Sequence, residues 1–258
     1  MASMRHIILL GASNLTNAFP RVLAAVENAF DGPLEVSAAL GHGRSFGMWS
    51  RVLHRALPGI VGCGLWPAVE SPQAQPLETL GLITDVGNDL LYGADVPQIA
   101  EWVETCLARM KNYGADVVLT LLPIDSVRRL APWRYYATRA LFFPRSRLSF
   151  AEIRRRVYDL HHRLEELGRK YDIHTVEQPG GWYGLDPIHI RHTQRRQAWN
   201  RILSGWASFP TQTPTGQAPL AKRLQLFRIQ PETRRLWGQE QNTTQPAYQI
   251  SRTSVSLF

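Results

Sequence analysis

Residues 6–14 read HIILLGASN: a histidine, four consecutive aliphatic residues, a glycine, and then small and polar side chains. An unbroken apolar run that stops on glycine is the pattern of a strand buried on both faces of a parallel sheet, where side chains pointing either way meet a covering helix. The stretch that follows fits this. Over residues 15–30, Phe19, Val22, Leu23, Val26 and Phe30 recur at helical spacing, and Asp31-Gly32-Pro33 ends the periodicity.

The alternation continues along the chain. Residues 34–40 read as a second strand leading into Gly41-His42-Gly43-Arg44-Ser45. A strand over 80–86 ends in Gly87-Asn88-Asp89, and a helix over 97–113 and a strand over 117–122 follow. Ser149 with Glu152 three residues later has the form of a capping box, which predicts a helix from there to about residue 171. A short strand at 173–176, a loop bearing Asp186 and His189, and a helix over 193–206 complete the pattern. Regular strand–helix alternation predicts the α/β class: a three-layer α/β/α sandwich with a mostly parallel, flavodoxin-like sheet. Ligands of such sheets bind beyond the carboxyl ends of the strands. The unusual loops here all follow strands, so they are expected to meet at one edge of the sheet.

Residues 1–208 read as one catalytic domain. Residues 209–258 are basic and rich in Thr, Gln and Pro, a composition predicting a largely disordered tail, with a short docked element where apolar residues gather at 224–236. The net charge of +8 is unevenly placed. Residues 123–148 carry six Arg against Asp125, and the tail carries six basic residues against Glu232 and Glu240, leaving the remainder near neutral. No specific nucleic-acid partner is expected from that distribution. No apolar run approaches the ~20 residues of a transmembrane helix, and the apolar stretch at 7–10 is too short for a signal-peptide core. Two cysteines, Cys63 and Cys106, suit a reducing compartment, so a cytoplasmic location is expected. No metal-ligand spacing is found, and neither a metal nor another cofactor is expected.

Four short pieces supply, in order, the parts of an acyl-transfer site. They are Gly11-Ala12-Ser13-Asn14, the Gly41/Gly43 loop, Gly87-Asn88-Asp89 and Asp186-Pro187-Ile188-His189. Each alone is weak, since a serine after a strand is usually a helix cap and an Asp-x-x-His is usually a surface turn. Together they suggest a nucleophile with its base and the carboxylate that orients the base: Ser13, His189 and Asp186. Three donors are candidates for the oxyanion: the Ser13 N–H, the Gly43 N–H and the Asn88 side-chain amide. The expected substrate is a small-molecule carboxylic ester with a short acyl group.

These blocks resemble the four signature blocks of SGNH (GDSL-type) hydrolases, in order, over about residues 6–206. The resemblance implies a serine esterase in which Ser13 is acylated, His189 is the base, Asp186 orients it, and Gly43 and Asn88 complete the oxyanion hole. Two departures stand out. The family commonly has Gly-Asp-Ser where this chain has Ala12, so the hydrogen bond an aspartate offers there is either lost or supplied from elsewhere. Gly41 and Gly43 both qualify as the backbone donor, and Gly43-Arg44-Ser45 is similar to the block of carbohydrate-deacetylating members, which favours Gly43. The other reading is a catalytically silent protein of this fold that binds a polar ligand.

Substrate contacts are expected from His42 in the glycine loop and from Trp133, Tyr135 and Tyr136. These aromatics sit in the arginine-rich segment at 123–148, which is either a lid over the site or a surface excursion. A nucleotide-binding loop at Gly11 is disfavoured, because the Gly-x-Gly-x-x-Gly spacing and a P-loop lysine are missing.

Overall fold

The structure, a computed structural model, describes residues 4–70, 78–210 and 218–258. The chain runs β1 (Arg5–Leu10), α1 (Ser13–Ala29), β2 (Leu34–Ala39), β3 (Ser50–Val52), β4 (Arg55–Leu57), α2 (Leu65–Glu70), β5 (Glu78–Ile83), α3 (Asn88–Leu91), α4 (Val96–Asn112) and β6 (Asp116–Thr120). It continues through α5 (Ile124–Arg128), α6 (Pro132–Phe142), α7 (Phe150–Lys170), β7 (His174–Val176), α8 (Arg195–Leu203), α9 (Leu220–Arg228), β8 (Thr233–Leu236), β9 (Gln239–Asn242), β10 (Tyr248–Ile250) and β11 (Thr253–Leu257).

The main sheet has the order β10-β11-β2-β1-β5-β6-β7, parallel throughout except for the β10–β11 pair. Without the two C-terminal strands this is the 2-1-3-4-5 order of flavodoxin-like sheets, as the alternation predicts. Both faces are covered. Along β1, Ile7 and Leu9 pack into the core shared with Leu15 and Val22 of α1 and Trp199 of α8, while Ile8 and Leu10 pack into the core shared with Val103 of α4 and Leu160 of α7. The aliphatic run is therefore a strand with two dry faces. The chain order reverses around β1, between β2 and β5, and this is where a doubly wound sheet opens a crevice at its carboxyl edge.

The capping box forms: the Ser149 hydroxyl accepts the Glu152 N–H at 3.2 Å, and the Glu152 carboxylate accepts the Ser149 N–H at 3.0 Å. The tail departs from expectation. Residues 218–258 are folded, with α9 docked through Leu226, β8 and β9 joined to β3 and β4 in a small antiparallel sheet, and β11 added beside β2. Part of the Thr/Gln/Pro-rich stretch, residues 211–217, lies outside the described residues. A composition averaged over fifty residues hides the five-residue alternation of β11, whose Thr253, Val255 and Leu257 are buried. That strand satisfies the backbone of an otherwise open β2 edge, a long-range pairing that composition does not register. The hairpin between β8 and β9 turns on Trp237 and Gly238, both at positive φ, so it lacks the Asn-Gly or Asp-Gly signal that marks such turns.

Candidate active site

Ser13 is the first residue of α1, two residues beyond the glycine that ends the β1 run. Gly11 is required there: a Cβ would sit 2.7 Å from the Thr84 methyl. No residue of α1 itself caps its amino end. The cap comes from the end of β5, where Asp85 accepts the N–H of Ala12 at 3.0 Å, of Asn14 at 2.9 Å and of Leu15 at 3.1 Å. Asp85 stands at φ 61°, a left-handed conformation that Asp tolerates better than most residues. The carboxylate absent at position 12 is thus supplied from the loop after β5, and Ala12 is fully buried.

Asp186 and His189 share one turn. The Asp186 carboxylate accepts the backbone N–H of Ile188 at 2.8 Å and of His189 at 3.2 Å, and its other oxygen lies 2.6 Å from His189 Nδ1. Because a carboxylate only accepts, Nδ1 is the nitrogen that donates, and in the neutral ring this leaves the lone pair on Nε2. Burial raises the Asp186 pKa, but the bonds from His189 and the Ile188 N–H outweigh it and hold the carboxyl below its ordinary range. Asn14 fixes this turn to α1: its Nδ2 donates to the Ile188 carbonyl at 3.0 Å, and its Oδ1 accepts the Ile190 N–H at 2.8 Å. The two residues flanking His189 are therefore held by the neighbour of Ser13.

Gly43 adopts φ 64°, and a Cβ there would come within 2.7 Å of both the Val52 side chain and the Tyr92 hydroxyl, which donates to the Gly43 carbonyl at 2.6 Å. Burial, with Asp89 adding to it, pushes the Tyr92 hydroxyl up to about 12, so it remains a donor. Asn88 opens α3 and is buried. Its neighbour Asp89 ties the two loops together, accepting the Ser45 hydroxyl and, at 2.9 Å, the Phe46 N–H. Burial raises Asp89 to about 6.

Ser13, Gly43, Asn88, Asp186 and His189 all border one cleft of about 450 Å³, with His42 at its rim. Gly41 does not border it and packs against Leu57. A second, apolar cavity of about 130 Å³ opens beside the first and shares Ser13, Asn88 and Ile188 with it; Leu122, Tyr135 and Val157 are among its walls. Tyr135 thus reaches a cavity, whereas Trp133 is 68% exposed and borders neither, and Tyr136 borders neither. The arginine-rich segment lies over the site. Arg134 donates to the Gly184 and Leu185 carbonyls just before Asp186, and the Phe142 ring stands edge-on to His189 with centroids 5.5 Å apart.

Asp85, Asn14, Asp89 and Tyr92 are the site residues whose roles sequence reasoning leaves unassigned, whereas Phe142 and Phe143 belong to the aromatic, arginine-rich segment at 123–148. The only local signal was a cluster of Asp around the Gly87 turn. Among the described residues one group, His161, Glu165 and Glu177, brings three potential metal ligands within 4.8 Å of one another. Chain spacing misses it because Glu177 comes from another element, and it borders neither cavity.

No family model matches the chain, and no curated relative matches it. Solved structures do. A member of the lipolytic protein G-D-S-L family from Veillonella parvula aligns at TM-score 0.50 and 12% identity over 78% of this chain and 97% of that one. The psychrotrophic esterase EstA from Pseudoalteromonas sp. aligns at TM-score 0.47 and 13% identity over 77% and 95%. An acetyl xylan esterase, AlAXEase, aligns at TM-score 0.44 and 10% identity over 77% and 98%. The seven-stranded, mostly parallel sheet and its covering helices give this chain the fold of the G-D-S-L (SGNH) hydrolases.

Proposed function

We propose that this protein hydrolyses carboxylic esters with Ser13 as nucleophile, His189 as general base and acid, and Asp186 as the group that orients His189. The observation that carries the reading is the convergence of Ser13, Gly43, Asn88, Asp186 and His189 on one cleft from four separate loops.

In this mechanism the Ser13 oxygen attacks the ester carbonyl while its proton passes to His189 Nε2. The tetrahedral oxyanion accepts hydrogen bonds from the Ser13 N–H, the Gly43 N–H and the Asn88 amide, each donor being worth about 3 kcal/mol or more in such sites. The C–O bond to the alcohol then breaks, and the alcohol leaves with the proton from His189. Water repeats the sequence on the acyl-serine: it gives its proton to His189, the Ser13 oxygen departs with that proton, and a carboxylic acid is released. Asp186 stays ionised throughout and stabilises the imidazolium. The small apolar cavity beside Ser13 receives the acyl group, and its size favours short chains.

The test is hydrolysis of p-nitrophenyl acetate, butyrate and octanoate by the wild type beside Ser13→Ala and His189→Ala. Turnover should vanish in both variants, and a serine-reactive phosphonate should label Ser13. A folded wild type that neither turns over these esters nor labels would favour the silent, ligand-binding alternative.

A further inference from the structure

Beyond the cleft lies a groove of about 1140 Å³ that shares Val52, Tyr92, Phe142 and Phe143 with it, so acyl cavity, nucleophile, cleft and groove follow one another without a break. If an acyl group enters the small cavity, the alcohol half of the ester extends into this groove.

The groove is basic. Arg51 of the β3 strand and Arg145 and Arg147 of the loop after α6 border it, and all three are exposed. Several surface arginines elsewhere are paired, as Arg128 with Asp125, Arg155 with Asp159, Arg163 with Glu166 and Arg235 with Glu240. Others, such as Arg134 and Arg139, hold backbone carbonyls. Among the described residues, Arg51, Arg145 and Arg147 form no ion pair or hydrogen bond of either kind. The one carboxylate bordering the groove, Glu152, accepts the Ser149 N–H and hydroxyl in the capping box. Three uncommitted guanidinium groups from two chain segments thus face one concave surface, where they raise the potential together and leave their donor forks open. Aromatic surface lies beside them, with Trp49 44% and Phe142 46% exposed.

We infer that the alcohol half of the substrate is anionic, carrying a phosphate or a carboxylate that Arg51, Arg145 and Arg147 hold in this groove. The inference rests on the ester-hydrolase reading for the direction in which the substrate lies, but the anion site exists independently of turnover. Phosphate and carboxylate each offer arginine a pair of oxygens that its fork can meet bidentately, and they are separated by experiment.

Three butyryl esters matched in acyl group decide it: those of glycerol, of glycerol 3-phosphate and of glucuronic acid, with p-nitrophenyl butyrate as the reference for the chemistry itself. At low salt kcat/KM for one or both anionic esters should exceed that of the glycerol ester by about ten-fold or more, the scale of one charge-assisted hydrogen bond. The ratio should shrink as salt is raised and collapse toward one in Arg145→Gln/Arg147→Gln. Which anionic ester leads identifies phosphate or carboxylate as the natural group. Equal rates for the charged and neutral esters, with p-nitrophenyl butyrate turned over normally, would overturn the anionic alcohol. If p-nitrophenyl butyrate is not turned over, the hydrolase reading fails. Calorimetric titration of Ser13→Ala with the same three esters then decides the groove alone: tighter binding of an anionic ester, weakened in Ser13→Ala/Arg145→Gln/Arg147→Gln, supports it, and equal affinities reject it.

Discussion

Asp85 holds Asn14 at two points: one carboxylate oxygen accepts the Asn14 backbone N–H at 2.9 Å, and the other accepts the Asn14 side-chain amide at 2.9 Å. The oxygen that takes the backbone N–H also takes those of Ala12 and Leu15, and the side chain it orients reaches both neighbours of His189. One carboxylate at the end of β5 therefore sets the start of α1 and, through Asn14, the register of the His189 turn.

Asn14→Ala should lower kcat for p-nitrophenyl butyrate by about 100-fold, the cost of displacing a catalytic group by about 1 Å. KM should change less than kcat, because Asn14 does not border the cleft and forms only one part of the acyl cavity wall. Asn14→Asp retains an acceptor for Ile190 but sets a second negative charge against Asp85, so it should rescue little. Steady-state kinetics on folded variants checks both.

Asp85→Ala removes the acceptor of four hydrogen bonds and leaves the amino end of α1 uncapped, so it should destabilise the fold by about 2–4 kcal/mol in urea unfolding. Ala12→Asp, which restores the more usual family residue, should not improve activity. It places a carboxylate at a fully buried position whose N–H Asp85 already engages, and it should lower the melting temperature.

Acid stability should carry two opposed contributions. Burial holds His6 at about 4, so the unfolded chain takes up that proton first and stability falls as pH drops from about 6.5 to 4. Burial raises Asp89 to about 6, so the folded chain takes up that proton first, and stability rises as pH drops from about 6 toward 4. Asp89→Asn removes the second contribution, worth roughly 3 kcal/mol at about 1.4 kcal/mol per pH unit. Its stability should consequently fall more steeply than the wild type's between pH 6 and 4 in denaturant titrations, while His6→Phe should fall less steeply.

Val157→Phe adds bulk to the wall of the small apolar cavity. If that cavity takes the acyl chain, the ratio of octanoate to acetate hydrolysis should drop by about ten-fold or more, while acetate turnover is largely kept. An unchanged ratio would place the acyl chain elsewhere.

Gly43→Ala forces an L side chain into positive φ and sets a Cβ 2.6 Å from Val52. About 1–2 kcal/mol of backbone strain is expected in addition to the crowding, with kcat falling more than stability alone explains, since the Gly43 N–H is a proposed oxyanion donor. Urea unfolding measured beside kcat separates the two effects.

The layered α/β fold is legible in the order of residues, because burial on two faces leaves an unbroken aliphatic run in β1 and covering helices leave a 3.6-residue period, and both are local signals. That order also marks Ser13, Asn88, Asp186 and His189, since each stands next to a strand end or in a tight turn whose residue types are unusual. What supports them emerges once the chain is folded. Asp85 caps a helix 72 positions earlier in the chain, Asp89 joins two loops, and β11 finds the edge of β2, all through hydrogen bonds between residues far apart in sequence. The folding of the tail is illegible in sequence for the same reason: a polar, proline-containing composition measures how little a segment can bury by itself, whereas the edge it pairs with lies more than two hundred residues away. Distant carboxylates and strand edges leave no periodicity at their own positions, so the chain had to be folded before Ala12 and Asp85 could be read as one feature.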